Sequence, residues 1–195
     1  WSLGNQDESI AQMRRSQSNF EKLELQYPNV KNNQRLSLKR YNKLGTQQME
    51  MGQFHEAPKD CEKALEVGTK LVNDAPKIAV YAIVLGGVYC NRGNLLFDQQ
   101  MVEPAIESFD KAIDLLQPVL GRDNRSGSAR QFLANAHAAR ATARFAQHLQ
   151  AEAVDDWDRS FDLCPPSTNR PFTSRLAERM WACLYAGDYE RCVAE

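Results

Sequence analysis

The sequence repeats itself at a fixed offset of 48 positions, and this repeat limits the possible folds more than any other feature. The segment Tyr41-x-x-x-Gly45 returns as Tyr89-x-x-x-Gly93, and a further step of the same size leads from Gly93 to Ala141. A repeat of this length is typical of a stacked array, in which each unit buries its apolar face only against neighbouring units. We therefore expect a solenoid rather than a globule with one central core.

Within each unit the apolar residues follow the 3.6-residue period of an α-helix. The run Phe109, Ala112, Ile113 and Leu116 shows this spacing, and no stretch alternates with a period of two. Prolines punctuate the pattern, because a proline ends a helix but is tolerated in its first turn. Three sites mark the ends of units and two mark the starts of helices: Pro28, Pro76 and Pro165-Pro166, and Pro58 and Pro104.

Small and large residues recur in fixed columns of the repeat. Two antiparallel helices approach to about 8–10 Å only where a small side chain faces the neighbour. Gly45, Gly93 and Ala141 indicate one side of such a contact. Ala57, Ala105 and Ala153 indicate its other side, on the second helix, and Phe109 and Trp157, in the column of Cys61, are expected to fill the space between successive units. The column of Ala64, Ala112 and Ser160 also keeps its size class.

The repeat predicts a single all-α domain over residues 1–195, a right-handed superhelix of antiparallel helix pairs. Its predicted units are the second helix of an incomplete repeat at 7–28, repeats at 33–76, 77–124 and 126–164, and a partial repeat at 172–195. The offset shortens to 39 positions from Ala153 to Cys192. Since residues 99–101 and 148–150 lack the usual turn glycine, we expect distorted turns there.

Three stretches resemble a known family, the elongated tetratricopeptide arrays that follow the kinase domain in many planctomycete serine/threonine protein kinases. They are residues 89–96, residues 137–141 together with 151–159, and residues 186–190. This resemblance implies a tetratricopeptide-type helical superhelix attached to a bacterial signalling enzyme. It also implies a peptide or protein partner in a concave groove.

Charge and hydropathy exclude several classes of function. The chain has 24 Lys and Arg against 25 Asp and Glu, so no strong field attracts nucleic acid or an anionic membrane. The apolar run from Ile78 to Tyr89 is broken by Gly86 and Gly87 and is far shorter than the roughly 20 residues of a membrane span. Because the start also lacks the pattern of a signal peptide, we predict a cytoplasmic protein.

No set of residues in the sequence predicts catalysis or a metal site. The motifs G-x-G-x-x-G, His-Arg-Asp and Asp-Phe-Gly of protein kinases are absent, as are a phosphate loop and a nucleophile elbow. The five cysteines lack C-x-x-C spacing and lie among apolar residues, which favours buried free thiols over disulfides or zinc. We therefore predict a chain that is not an enzyme and that needs no cofactor or metal.

Two charged clusters each leave an alternative open. Acidic residues in the third unit form a calcium site or, as we favour, a solvated helix face partly neutralised by Arg159: Glu152, Asp155, Asp156, Asp158 and Asp162. His137 with Arg140 and Arg144 forms an anion site or, as we favour, His137 only packs, because its column also holds Tyr41 and Tyr89.

The first helix of each unit is expected to line the groove, with polar and aromatic residues suited to a peptide. The predicted groove residues are Lys39, Asn42, Thr46, Met49, Cys90, Asn94, Phe97, Asn135, Ala138, Thr142, Phe145, Trp181 and Tyr185. An equally good interpretation is that Phe97, Phe145 and Trp181 only cap the core. The predicted function is a protein-interaction module, and the alternative is a structural spacer or rod that associates end to end.

Overall fold

The part of the protein that the structure describes is a series of α-helices. The computed structural model describes residues 3–27, 34–36, 38–40, 42–43, 57–165 and 171–188. Its helices are α1 (Leu3–Gln26), α2 (Ala57–Asp74), α3 (Ala79–Asp98), α4 (Val102–Arg122), α5 (Gly127–Ala146), α6 (Gln150–Leu163) and α7 (Pro171–Ala186). Residues 34–36, 38–40 and 42–43 are also helical, and the described residues contain no strand. The all-α prediction is therefore confirmed.

From α2 to α6 each helix packs against the next, because turns of a few residues reverse the chain between them. The pairs α3–α4 and α5–α6 are complete within the described residues. We call the earlier helix of a pair its first helix and the later one its second helix, so that α2 is a second helix and α7 a first helix. First helices of successive pairs also touch, α3 with α5 and α5 with α7, which gives the stacked arrangement expected of a solenoid.

The buried faces follow the columns of the repeat. Ala105, Phe109, Ala112 and Leu116 of α4 are fully buried, at spacings of three and four residues. Ala153 and Trp157, in the next pair, are fully buried as well, and their columns are those of Ala105 and Phe109. Among the described helices, none is both long and apolar enough to cross a membrane.

The contact that brings two helices of a pair together is visible at Gly93. A methyl group added at Gly93 would lie far inside van der Waals contact with Cε1 of Phe109, so only glycine allows this approach. In the next pair Ala141 stands in place of this glycine and packs with Trp157 in one core cluster. Phe109 also shares a core cluster with Ala143 of α5. It therefore lies against the small residue of its own pair and, as the sequence predicted, between successive units.

The prediction of distorted turns is wrong. Gln100 and His148 adopt left-handed φ values of 62° and 61°, close to the 73° of Gly187. All three turns make the same pair of hydrogen bonds, exemplified by Met101 N–H to Leu96 O and Gln100 N–H to Phe97 O, both 2.9 Å. This is the Schellman pattern that ends helices. The turn keeps its shape, and Gln100 and His148 adopt the unfavourable backbone conformation that it requires.

Candidate functional site

Three of the predicted groove residues form one aromatic patch between α5 and α7. Phe145 and Tyr185 have ring centroids 6.2 Å apart, and Tyr185 and Trp181 have centroids 6.3 Å apart. Phe145 packs against buried Trp157, and their ring centroids are 6.0 Å apart. These tilted rings have the separations that favour aromatic pairs. We call Phe145, Trp181 and Tyr185 the aromatic patch.

Two rings of the patch are largely exposed. Trp181 is 57% and Tyr185 69% exposed, although tryptophan and tyrosine usually bury most of their surface. The shorter offset of 39 positions, which also relates the turn residues His148 and Gly187, places Trp181 in the column of Thr142 and Tyr185 in the column of Ala146. Ala146 is exposed in its complete pair and Thr142 is partly exposed. Their columns therefore face away from the second helix.

The neighbouring apolar residues of α7 belong to a different face. Met180 and Leu184 are 51% and 44% exposed and occupy the columns of buried Ala141 and half-buried Phe145. In the pair α5–α6 those columns pack against the second helix. Met180 and Leu184 are therefore exposed for a different reason than the aromatic patch, since they lie on the face that a second helix covers in the pair α5–α6.

A polar contact borders the patch one helical turn earlier. Thr142 Oγ1 donates to Glu178 Oε2 at 3.2 Å and also approaches Ala138 O at 3.2 Å. Buried Arg179 donates to Asp158 at 2.6 Å and ties α7 to α6. These contacts fix the position of α7 relative to α5 and α6, and with it the geometry of the three rings.

The other predicted groove residues are spread over several environments. Cys90 and Ala138 are buried, because they face a neighbouring first helix. Phe97 is half-buried and packs with the core residues Ala105 and Phe109, so it belongs to the interior. Lys39 and Asn94 are exposed, and Asn42 and Asn135 are partly exposed.

The side chains of the two partly exposed asparagines accept hydrogen bonds from neighbouring side-chain amides. Asn91 Nδ2 donates to Asn42 Oδ1 at 2.7 Å, which links the first helices of successive units. Gln131 Nε2 donates to Asn135 Oδ1 at 3.1 Å along α5. The predicted residues Thr46 and Met49 lie outside the described residues.

A buried ion cluster lies inside the pair α5–α6. The Asp156 carboxylate is fully buried and accepts hydrogen bonds from Arg140 Nε at 2.8 Å and Nη2 at 2.5 Å, and from Arg144 Nη1 at 2.6 Å. His137 Nδ1 lies 2.9 Å from the same carboxylate. Arg140 Nη1 also reaches Asp110 at 2.5 Å, so the cluster connects α4, α5 and α6.

The charges of this cluster stabilise one another. Burial alone would raise the pKa of Asp156, but hydrogen bonds from His137 and Arg140 and the charges of Arg140 and Arg144 lower it from 3.8 to about 2. Burial lowers the pKa of Arg140, and its hydrogen bonds to Asp156 and Asp110 outweigh that effect and raise it. Since the carboxylate is ionised at neutral pH, His137 Nδ1 is the donor in their hydrogen bond.

Two expectations about these residues need correction. Asp156 does not lie on a solvated face, because its spacing along α6 places it on the same helix face as the buried residues Ala153, Trp157 and Ser160. Arg140, Arg144 and the ring of His137 do gather around an anion, but the anion is the carboxylate of Asp156 itself. The interpretation of His137 as a packing residue holds for its burial, since only 4% of it is exposed.

The repeat contained a signal for this cluster that our sequence reasoning missed. Arg140 and Asp156 stand one repeat after Arg92 and Ser108, and Arg92 Nη1 donates to Ser108 Oγ at 2.9 Å. The same contact between the two helices therefore recurs, with a carboxylate in place of a hydroxyl. Ser108 is fully buried, which marks the column as an interior one.

The cysteines that the structure describes behave as structural residues. Cys61, Cys90, Cys164 and Cys183 are in no disulfide, and all except Cys164 are buried. Burial raises the pKa of Cys61 to about 11 and that of Cys90 to about 12, so both remain protonated and unreactive at neutral pH. The described part of the chain contains no group of His, Cys, Asp and Glu residues able to hold a metal ion.

Comparison with known proteins places the pair α3–α4 in a repeat class. A family model described as tetratricopeptide repeat matches residues 86–115, which run from α3 through the turn into α4. None of the curated proteins is similar to this chain in sequence. Together with the recurrence of buried columns from one repeat to the next, the match supports a tetratricopeptide-type array of helix pairs.

Two solved structures resemble the chain over most of its length. BtubC (BKLC) from P. vanneervenii is 12% identical with a TM-score of 0.49, and the match covers 97% of this chain and 87% of that chain. TTC0263, a thermophilic TPR protein in Thermus thermophilus, is 17% identical with a TM-score of 0.43, and the match covers 98% of this chain and 84% of that chain.

Proposed function

We propose that this chain is a protein-interaction module that binds a segment of a partner polypeptide at the aromatic patch. Tetratricopeptide repeats generally mediate interactions between proteins, and a repeat of this class matches residues 86–115. The observation that carries the proposal is the exposure of Trp181 and Tyr185, at 57% and 69%, beside the half-buried ring of Phe145. Exposed tryptophan and tyrosine side chains commonly supply much of the binding energy of an interface.

The patch has the chemistry to hold a short peptide. Its rings offer a rigid apolar surface for one bulky side chain, at a low cost in conformational entropy. Glu178 lies one turn before Trp181 on α7 and offers a carboxylate to N–H groups of the same peptide. The exposed Asn94 and Lys39 and the partly exposed Asn42, Asn135 and Thr142 extend this surface along the array in our proposal.

The experiment that tests this proposal is a selection of displayed peptides on the intact chain. Peptides that bind are then titrated by fluorescence polarisation against the wild type and against Trp181→Ala and Tyr185→Ala. We expect each substitution to weaken binding about tenfold or more, because each removes a ring from the centre of the contact.

Met101→Ala is the matched control. Met101 is 46% exposed and lies in the turn between α3 and α4, so its truncation removes a similar apolar surface elsewhere. We expect it to leave the affinity unchanged. Failure to select any peptide, or equal affinity of the wild type and Trp181→Ala, would count against the proposal.

The wider setting of the module rests on sequence alone. The resemblance in residues 89–96, 137–141, 151–159 and 186–190 supports attachment to a larger bacterial signalling protein, such as a serine/threonine kinase of the cytoplasm. This chain itself contains no catalytic motif of such an enzyme. In this proposal it recruits a substrate or regulator rather than acting on it.

A second function, self-association or a structural spacer, is favoured by one observation. The exposed Met180 and Leu184 occupy columns that a second helix covers in the preceding pair, so a second copy could cover them here. Light scattering over a range of concentrations separates the two functions. A mass that rises with concentration and falls to the monomer in Met180→Gln/Leu184→Gln would favour the rod, and a constant mass would favour the interaction module.

A further inference from the structure

Two surface crevices have the same structure one repeat apart. Each is formed by the end of one second helix together with the first and second helices of the next pair. The crevice between α2, α3 and α4 has a volume of about 300 Å³, and the crevice between α4, α5 and α6 a volume of about 580 Å³. Each has eight lining residues, and every residue of the second stands 48 positions after one of the first.

The walls of both crevices are apolar. The first helices contribute Leu85 and Leu133, and the second helices of the same pairs contribute Leu115 and Leu163. A ring lies between them in each case, that of Tyr89 in the first crevice and that of His137, its equivalent one repeat later, in the second. Volumes of this size suit the side chains of a ligand.

Each crevice also carries one cation and one carboxylate at its edge. Lys111 and Asp114 border the first crevice, and Arg159 and Asp162 border the second. Because residues three apart share a helix face, each pair of charges points to the same side. Lys111 Nζ lies 5.9 Å from the ring centroid of Tyr89. Among the described residues, neither Lys111 nor Arg159 has a carboxylate within ion-pair distance.

The preceding unit shows which group forms an ion pair with the cation of this column. Lys63 stands one repeat before Lys111, and its Nζ pairs with Glu21 Oε1 of α1 at 3.4 Å. One and two repeats later, the column of Glu21 holds the neutral residues Thr69 and Gln117. The carboxylate that faces the cation in the first copy is therefore missing from the two crevices.

We propose that the two crevices together bind an extended, acidic segment of a partner polypeptide. In each crevice a carboxylate of the partner takes the place that Glu21 has beside Lys63, and pairs with Lys111 or Arg159. An adjacent bulky apolar side chain enters between the leucines, and Asp114 or Asp162 accepts backbone N–H groups of the same segment. This surface is separate from the aromatic patch, since the two share no residue.

The spacing of the crevices sets the spacing of the partner's residues. Since the first helices of successive pairs are in contact, equivalent points of successive pairs are one helix contact apart, which is about 8–10 Å. An extended chain advances about 3.3 Å per residue, so two acidic-apolar pairs about three residues apart reach both crevices. Occupying both at once raises the effective concentration for the second contact.

The second crevice accepts the larger side chain. Gly121 stands there in place of Asn73, and a methyl group added at Gly121 would meet no atom within 4 Å. His137 has its Nδ1 held by Asp156, which leaves Nε2 as the ring nitrogen available to a ligand. Because the two crevices differ in size, the partner segment binds in one direction, with its bulkier apolar residue in the crevice at Gly121.

The test uses a short fluorescent peptide with two Glu-Leu pairs about three residues apart. A matched peptide carries Gln in place of both Glu residues. We expect saturable binding of the Glu-Leu peptide that weakens about tenfold in Lys111→Gln and in Arg159→Gln, and that falls with salt. Lys77→Gln, an exposed cation outside both crevices, is the control and should bind as the wild type does.

Two further variants keep the test decisive. Lys111→Glu/Arg159→Glu should reject the Glu-Leu peptide and prefer a Lys-Leu version, because the charge at both exposed positions is reversed. Gly121→Leu should fill the second crevice and weaken binding without unfolding the chain. Absence of saturable binding, or equal affinity for the Gln-Leu peptide, would overturn the proposal. So would a concentration-dependent dimer that Arg159→Gln abolishes, since the occupant would then be a second copy.

Discussion

Asp156 has a fully buried carboxylate at the contact between α5 and α6. This carboxylate joins His137, Arg140 and Arg144 of α5, and Arg140 extends the cluster to Asp110 of α4. A buried ion pair adds little net stability compared with an apolar pair, but removal of one partner leaves charges buried without compensation. The cluster therefore fixes how α6 sits on α5 more than it adds to the total.

We predict that Asp156→Ala lowers the free energy of unfolding by about 3 kcal/mol, because Arg140 loses its buried carboxylate. Glu152→Gln, an exposed change two positions after the start of the same helix, should alter it by less than about 0.5 kcal/mol. Urea titrations followed by circular dichroism measure both. A loss below about 1 kcal/mol for Asp156→Ala would show that the cluster does not hold the helices together.

The same carboxylate predicts a loss of stability in acid. The pKa of Asp156 is about 2 in the folded chain, against an ordinary value of 3.8, so the unfolded chain takes up its proton at a higher pH. This contribution is complete above about pH 5 and is lost as the pH falls through 4 towards 2, where the loss amounts to about 2 kcal/mol. Urea midpoints at a series of pH values should fall less steeply for Asp156→Ala than for the wild type. Parallel profiles would contradict the assignment.

At the scale of the helical elements, the turns after α3 and α5 keep a glycine-type geometry without glycine. Gln100 and His148 have φ values of 62° and 61°, a region that costs an ordinary residue about 1–2 kcal/mol. The hydrogen bonds of the Schellman pattern outweigh that cost in the folded chain.

Gln100→Gly and His148→Gly should each raise the free energy of unfolding by about 0.5–1 kcal/mol, because glycine relieves the left-handed strain. Gln99→Gly is the control, since Gln99 has an ordinary φ of −84° and gains nothing from glycine. Thermal and urea unfolding compare the three variants. Equal effects at Gln99 and Gln100 would show that the left-handed turn is not strained.

Two glycines of the helices test the packing between the members of a pair. Gly93→Ala drives a methyl group into the Phe109 ring and should cost about 1–3 kcal/mol. Gly121→Ala meets no atom within 4 Å and should add up to about 1 kcal/mol through helix propensity. Measured unfolding free energies should therefore shift in opposite directions. The same sign for both variants would contradict the close contact at Gly93.

The element scale also shows what the sequence could and could not predict. The repeat offset predicted the buried columns, because residues at one column meet the same neighbours in every pair. It did not predict the φ of Gln100, since hydrogen bonds at the helix end set that angle rather than the identity of the residue. The cluster of acidic residues in α6 predicts a solvated position for Asp156. The buried stripe through Ala153 and Trp157 places it in the interior instead.

At the scale of the whole molecule, the array presents two kinds of surface that arise in different ways. The crevices repeat because the same columns recur in each unit, and they carry the same charges each time. The aromatic patch is unique among the described residues, because the offset shortens at α7 and brings Trp181 and Tyr185 to columns that hold small or polar residues in earlier pairs. Spacing alone predicted those residues but not their contact with Phe145.

Hydrogen–deuterium exchange is the sharpest test of whether a partner polypeptide binds at the aromatic patch. The wild-type chain is measured with and without a saturating amount of a peptide selected on it. We predict that amide protection increases at the end of α5 and in the second half of α7, and that Trp181→Ala abolishes the increase. Protection confined to other helices, or unchanged exchange in α7 with the peptide bound, would contradict the claim.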